Sequence, residues 1–519
     1  MKYFLLVIVT VGLFSSCSDF LEPQSQSEYV PQDAVSLNEM LLGEAYPQAG
    51  SPAAIMDILS ILDDDICCTD TLGGVIGIND DRDFIALKAA FSWQPNFWTV
   101  MKENSDLYEN YWETFYQFIL GANAALDYID GVSGTVEEKN LVKAQAYALR
   151  AFYYFQLVNL FGEPYNYNKD ALGVPLKLTS AMENKELPRN TVKEVYDQVL
   201  EDLTEAEKMY ESLPENMQFR RDYRTNLPMV QLLRSRVLLY MEDWKNAAIY
   251  AQKVIDNENF SLIDLKSLPA KTEQQPYYNF ISMESSSECI WVFGNIDSYL
   301  NLLDINLTVL EDPSNPLGES RYFYNQFNAS PELLGAYVEG DLRKENYILK
   351  GRNKEQIGNN QVIIHPDGYY PYGKFAISSE YAAVVGNDFA YAFRLSEAYL
   401  NLAEAAANDN DPETALSALN TLRSYRFEEG VEEVSGITGD ALIERIRLER
   451  RLELCYEGHR WFDLRRYGMP SFSRTWKVGG VTVQTYQLQE KDPSYTLPIP
   501  QDVLDRNRNL EQNKLANPR

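Results

Sequence analysis

Flat rings are the chemically equipped residues that this chain holds in surplus. It carries 35 Tyr, 23 Phe and 7 Trp among 519 residues. An aromatic face can cover the C–H side of a pyranose, and the polar edge of Tyr or Trp adds a hydrogen bond. Two groups of rings stand in stretches rich in Pro, Gly and Asn. Trp93, Phe97 and Trp98 surround Pro95. Tyr277, Tyr278, Trp291, Tyr299, Tyr322 and Tyr324 follow further on, with Arg321 and Asn325 as polar partners that could orient hydroxyl groups. These are the candidate ligand-binding residues, Trp93 and Trp98 foremost. Any one aromatic serves the core more often than a ligand. Trp291, inside Cys289-Ile290-Trp291-Val292-Phe293, is the one a buried strand would claim first.

Other chemistry has little to work with. There are two histidines, His365 and His459, so His-based metal sites and Ser–His or Cys–His catalysis are hard to assemble. Cys67 and Cys68 are adjacent, while Cys289 and Cys455 stand alone; this is neither a disulfide framework nor a zinc spacing. Asp63-Asp64-Asp65 and Asn79-Asp80-Asp81-Arg82-Asp83 offer hard oxygens to a structural calcium. Phe84, however, stands where an EF-hand loop needs glycine, and solvated acidic loops account for both runs. No cofactor and no catalytic residue is expected. Glycoside hydrolysis needs only two carboxylates, and no paired-acid motif marks it among the 76 acidic residues.

The first residues give an address. Lys2 precedes an apolar run from Tyr3 to Phe14, then Ser15, Ser16 and Cys17. This is the layout of a signal peptide over residues 1–16, with Cys17 placed for lipidation, although Phe14 stands where such sites usually carry Leu. Residues 17–35 then read as a lipidated tether, and residues 36–519 as a single domain. Removing residues 1–16 takes away only Lys2 and moves the formal charge from −30 to −31. So acidic a chain is a poor nucleic-acid partner and suits neutral or basic ligands better than polyanions.

The elements that must position the rings are mostly helical. Apolar residues recur at spacings of three and four over 111–130 (Trp112, Phe115, Tyr116, Ile119, Ala122, Leu126, Ile129) and over 137–161, which Gly162 and Pro164 end. Residues 191–213 make a third helix, capped at Asn190 or Thr191. Residues 229–255 and 393–425 each read as a helix pair with the small–large pattern of tetratricopeptide repeats. They are not in tandem: residues 258–390 form a loop-rich insertion with short strand-like runs at 289–293 and 361–364. Residues 67–109 look similarly irregular. The expected fold is mainly α, with tetratricopeptide-like pairs as a scaffold, and long loops on such a frame are where binding usually sits.

The C-terminal region, 390–519, carries a resemblance. Glu449-Arg450-Arg451-Leu452-Glu453-Leu454 followed by Glu457-Gly458-His459-Arg460-Trp461-Phe462-Asp463-Leu464-Arg465-Arg466 resembles the signature of the SusD/RagB family. So does the close at Leu497-Pro498-Ile499-Pro500 with Asn507, Asn509, Leu510, Gln512 and Asn513. Leu149-Arg150-Ala151-Phe152-Tyr153-Tyr154-Phe155, leading to Leu160-Phe161-Gly162, is similar to the family's central helix, and Cys17-Ser18-Asp19-Phe20-Leu21 to its start. The resemblance implies an outer-membrane lipoprotein facing the cell exterior. It also implies that the protein captures oligosaccharides, or peptides in the RagB branch, and delivers them to a SusC-like TonB-dependent transporter without altering them. The charge-rich signature itself reads as packing: Arg445–Glu449 and Arg450–Glu453 have helical pair spacing, Gly458 allows a sharp exit, and Arg460, Asp463 and Arg465 can tie the next helix back.

Overall fold

The computed structural model describes residues 31–47, 56–68, 82–269 and 278–519. Within these, residues 107, 183–185, 304–307, 311–319, 323–326, 351–354, 358–360, 365–368, 371–373, 376–388, 432 and 479–480 are not described. The chain opens with α1 (Ala34–Glu44), a short α2 (Ile58–Leu62) and β1 (Ile66–Cys68). Helices α3 (Arg82–Phe91) and α4 (Phe97–Asn104) follow. The stretch read as irregular, residues 67–109, is thus helical over two segments. Trp93 makes the turn between them in a left-handed conformation (φ 51°).

Two long helices form the centre, α5 (Tyr111–Tyr128) and α6 (Val136–Phe161). A reciprocal cap starts α6: the Thr135 hydroxyl accepts from Glu138 N–H, and the Glu138 carboxylate accepts from Thr135 N–H. Every residue from Ala148 to Phe161 is buried, so the second half of α6 has no wet face. Sequence periodicity predicts a single stripe there; the all-round burial follows from neighbours on every side. Arg150 survives in this setting because Asp202 accepts from its Nε and Nη2 at 2.8 and 2.6 Å. Beyond the short α7 (Tyr165–Asn168), α8 (Val192–Glu211) supplies Asp202 and is capped by Thr191 and Glu194 in the same reciprocal manner.

After α9 (Glu215–Gln218) comes the first repeat-like pair, α10 (Leu227–Tyr240) and α11 (Trp244–Ile255). The insertion follows. Its strands and helices are β2 (Cys289–Phe293), α12 (Ile296–Leu303), β3 (Thr308–Leu310), β4 (Ser320–Tyr322), β5 (Phe327–Ala329), α13 (Pro331–Ala336), α14 (Arg343–Tyr347), β6 (Leu349–Lys350), β7 (Glu355–Ile357), β8 (Gln361–Ile364), β9 (Tyr369–Tyr370) and β10 (Tyr391–Arg394). The order β3-β4-β8-β7 makes a four-stranded sheet in which β4 and β8 run parallel. Strands β2 and β10 close the insertion as an antiparallel ribbon, with Phe393 opposite Trp291. This ribbon docks on the central helix: the Phe152 ring lies 5.1 Å from Trp291, 5.0 Å from Phe293 and 6.0 Å from Phe393.

The second pair, α15 (Leu395–Asn408) and α16 (Pro412–Ser424), leads to α17 (Gly439–Leu454) and α18 (Arg460–Arg466). The hairpin β11 (Phe472–Val478) and β12 (Val481–Leu488) and the short α19 (Gln501–Arg506) end the described elements. Although the insertion separates the two repeat-like pairs in sequence, they stack in space. Ala251 of α11, Ala403, Ala406 and Ala407 of α15, and Ala415 and Ala418 of α16 share one buried cluster with Leu442 and Ile446 of α17. Small side chains at the seam let these backbones approach closely, as the small–large pattern predicts. The fold is mainly α, with few and short strands.

Candidate functional site

Five of the predicted ligand aromatics belong to the core. Trp93 is 2% exposed and Trp98 4%. Each gives its indole N–H to a buried carbonyl: Trp93 to Leu62 O and Trp98 to Pro498 O, both at 2.9 Å. Phe97 packs on Trp98, ring centroids 4.2 Å apart. Trp291 is wholly buried in β2 and donates to Tyr223 O at 2.8 Å. Tyr299 is also wholly buried, its hydroxyl donating to Tyr456 O at 3.2 Å. The physical reason is common to Trp93, Trp98, Trp291 and Tyr299. A polar edge that would face water at a ligand site is satisfied here by main chain, so the whole ring can be enclosed. In described positions that leaves Tyr278, half-buried and donating to Ser285 O, and Arg321 and Tyr322 on β4. There Arg321 lies opposite Val309 on one side and Ile363 on the other. Tyr277, Tyr324 and Asn325, like Cys17, fall outside the described residues.

A buried ionic cluster gathers around α17 and the turn that follows it. Glu288, Asp341, Glu449, Glu453 and Glu457 meet Arg343, Lys374, Arg394, Arg423 and Arg426. Arg426 bridges Glu288 at 2.6 Å and Glu453 at 2.9 Å. Arg394, at the end of β10, reaches Glu288 at 2.9 Å and Glu457 at 2.6 Å. Arg343 pairs with Asp341 at 2.7 Å and Glu449 at 2.6 Å. Tyr347 donates to Glu453 at 3.1 Å, and Lys374 donates to the carbonyls of Glu453 and Cys455 and to the Glu457 carboxylate. Burial alone would raise the Glu453 carboxyl; Arg426, Arg394 and Arg343 overcome it and hold that group well below the usual carboxylate range. Glu288, Asp341, Arg343, Tyr347, Lys374 and Arg394 all belong to the insertion or its ends. The cluster therefore pins the insertion at several points to one helix.

The same block pins the first loop-rich segment from its other side. Asp64 accepts from Arg460 at 2.6 and 2.8 Å, and Asp65 from Arg451 at 2.6 Å. Ser330, next to β5, donates to Asp65 O at 2.7 Å and Asp64 O at 2.9 Å. The acidic run weighed for calcium thus has two of its three carboxylates engaged by guanidinium groups. Among the described residues no three His, Cys, Asp or Glu side chains are grouped to hold a metal ion. Arg445 meets Glu449 at 3.0 Å, as the spacing predicts. The predicted Arg450–Glu453 pair is corrected: Arg450 turns to Asp463 at 2.9 Å and to Asn401 at 2.8 Å, because Arg426, with Arg394 and Arg343, occupies Glu453. Gly458 exits in a left-handed conformation (φ 76°), and a Cβ there would strike the Met56 methyl. His459 is buried, and burial together with Arg236 and Arg450 pushes its imidazole well below the ordinary value, so it stays neutral.

Comparison with known proteins identifies this arrangement. The family model described as "SusD family" matches residues 311–515, and that described as "Starch-binding associating with outer membrane" matches residues 61–226. The first range holds the α17–α18 block; the second holds the central helix. The chain is a SusD-like protein. SusD-like protein P2 of Formosa agariphila is 26% identical over 444 residues, covering 80% of this chain and 81% of that one. A SusD-like protein of Bacteroides ovatus is 24% identical over 501 residues, covering 89% and 82%. A SusD superfamily structure from Bacteroides vulgatus superposes with a TM-score of 0.68 at 21% identity, covering 93% of this chain and 99% of that one. A structure from the same organism named as a putative sugar-binding protein gives 0.65 at 21% identity, with 94% and 99% covered.

SusD-like proteins are binding proteins associated with the outer membrane, not enzymes, which sets aside the hydrolase reading. In this SusD-like chain the signature residues are structural. Sequence reasoning missed the partners of the signature, Glu288, Arg343, Lys374, Arg394 and Arg426. They are single residues scattered over 139 positions from 288 to 426, with no spacing that marks them.

Proposed function

We propose that this protein captures oligosaccharides at the cell surface and hands them to a SusC-like TonB-dependent transporter. In this reading Cys17 carries the lipid anchor, the residues from there to the start of α1 are the tether, and the rest faces the cell exterior. The ligand meets the insertion, with Tyr278, Arg321 and Tyr322 contributing together with Tyr277, Tyr324 and Asn325. The observation that carries the reading is the ionic cluster. It fixes Glu288 and Arg394, which flank the insertion's strands, to the same helix that holds Asp341–Arg343. A ligand site on loops gains affinity when the loops are held in place beforehand, and here a rigid α frame does that. The family's description as starch-binding supports the saccharide class.

Titration of the full chain in detergent with gluco-, manno- and xylohexaose tests this. Binding of at least one, weakened by Tyr322→Ala and Arg321→Ala without loss of melting temperature, is the expected result. Binding of oligopeptides with no response to any hexasaccharide would overturn the ligand class. Co-purification with a TonB-dependent barrel from the native membrane tests the partner.

A further inference from the structure

A second recess lies far from the insertion in sequence. It is a cleft of about 710 Å³, inside the ~300–1,000 Å³ range of small-molecule sites. Its floor is α5, with Trp112, Tyr116 and Leu120. One wall is formed by Pro175, Lys177, Glu186 and Leu187; the other by Val503 and Arg506 of α19 with Asn507 and Leu510. Neither the insertion nor the α17–α18 block contributes to it.

The three sides are fastened to one another. The Tyr116 hydroxyl donates to Pro175 O at 2.6 Å, joining floor to first wall. Asn507 Nδ2 donates to Leu187 O at 2.9 Å, Asn509 Nδ2 to Glu186 O at 2.9 Å, and Arg508 N–H to the Glu186 carboxylate at 3.1 Å, joining the walls. Arg506 and Glu113 pair at 3.2 Å, joining the second wall to the floor. The recess is therefore preformed, and a ligand entering it meets little ordering cost.

Its lining says what fits. The Trp112 and Tyr116 rings lie 5.4 Å apart, inclined by 37°; Trp112 is buried beneath the floor, and the apolar surface open to the cleft comes from half-buried Tyr116 and from Leu120, which is 47% exposed. This apolar bed suits C–H faces. Around it stand Glu113 and Glu186 against Lys177 and Arg506, two charges of each sign, so the rim offers no net field to draw an ion. The Gln117 amide, also lining the cleft, has no hydrogen-bond partner among the described residues, which leaves both a donor and an acceptor for hydroxyl groups. We infer that this cleft is a second saccharide-binding site, taking a short neutral segment of a glycan. The inference rests on the saccharide class of the preceding reading but on different residues.

Hydroxyl-radical footprinting of the full chain in detergent with gluco-, manno- and xylohexaose separates the two sites. The expected result is protection of residues 112–120 by at least one of them. Leu120→Arg, which fills the cleft from an exposed position, should weaken that protection at least about tenfold in ligand concentration and leave protection of the insertion unchanged. Gln117→Ala, which keeps the shape, should weaken it less. Protection confined to the insertion, or protection of 112–120 that survives Leu120→Arg, overturns the cleft site and leaves the insertion reading standing. Protection confined to the cleft does the reverse. An absence of protection anywhere overturns both.

Discussion

Arg426 and Glu453 lie wholly inside the protein, 27 residues apart in sequence, with Arg426 Nε donating to Glu453 Oε2 at 2.9 Å and Nη2 to Oε1 at 3.0 Å. Arg426 also holds Glu288, where the insertion's first strand begins. One guanidinium thus couples the family signature to the root of the loop-rich segment. Removing one member of such a cluster leaves its partners charged and buried.

Glu453→Gln therefore costs stability out of proportion to its small change in shape. Arg426, Arg394 and Arg343 lose their shared counter-charge, and the expected loss is ~3–5 kcal/mol, read as a shifted denaturant midpoint. Proteolysis should then cut the insertion earlier than α5 or α6. A loss below about 1 kcal/mol would mean that the cluster does not anchor the insertion.

Trp98→Ala separates core from ligand site. The indole fills the space against Tyr111 and donates to Pro498 O, so the expected effect is a destabilisation of ~3–5 kcal/mol from the cavity and the orphaned carbonyl. Hexasaccharide affinity of the fraction that remains folded should stay within about twofold. A selective loss of affinity at unchanged stability would return Trp98 to the ligand site.

Stability should depend on pH in two opposite ways. Burial pushes the Asp57 carboxyl up from 3.8 to about 7, against the hydrogen bond it accepts from Tyr391. The folded state then keeps a proton that the unfolded chain releases above its ordinary pKa, so stability falls as pH rises from about 4 to about 7. Asp57→Asn keeps the Tyr391 bond and should flatten that fall. For Glu449, Glu457 and Asp463 burial works upward, but neighbouring arginines outweigh it and hold all three below their ordinary values. Their contribution is present above the ordinary carboxylate range and is lost as pH falls from there through their lowered folded values. Urea midpoints at pH 5 and pH 8 for both chains check the sign; equal slopes would contradict the role given to Asp57.

Gly458→Ala tests the turn between α17 and α18. The left-handed backbone and the Met56 methyl both oppose a Cβ, and ~1–3 kcal/mol of destabilisation is expected. Met56 is itself in the core, so the comparison is with Met56→Ala alone: in that background Gly458→Ala should lower the melting temperature less than in the wild type, by the steric part, and keep the conformational part.

Much of the frame was legible in the sequence, and the failures have physical causes. Helical periodicity placed α5 and α6 because one-sided burial writes itself at spacings of three and four. It missed that α6 is enclosed from Ala148 onward, since a helix buried all round has no stripe to read. The small residues of α11, α15 and α16 announced close packing. Trp93 and Trp98 misled because an indole facing a carbonyl and an indole facing a sugar have the same sequence. Arg450 and Glu453 had the spacing of a pair, yet Asp463 and Arg426, supplied by other elements, took each of them. The cleft beside Trp112 left no signal, as its walls come from three separated segments and its rim charges look like any solvated face.

The most direct test of the account is calorimetric titration of the full chain with neutral hexasaccharides, wild type beside Arg321→Ala and Tyr322→Ala, with the sugar recovered and chromatographed afterwards. The account predicts binding by the wild type, at least about tenfold weaker binding by each variant at unchanged melting temperature, and sugar recovered at its original length. Equal affinity in all three chains, or shortened sugar in the recovered fraction, would contradict it.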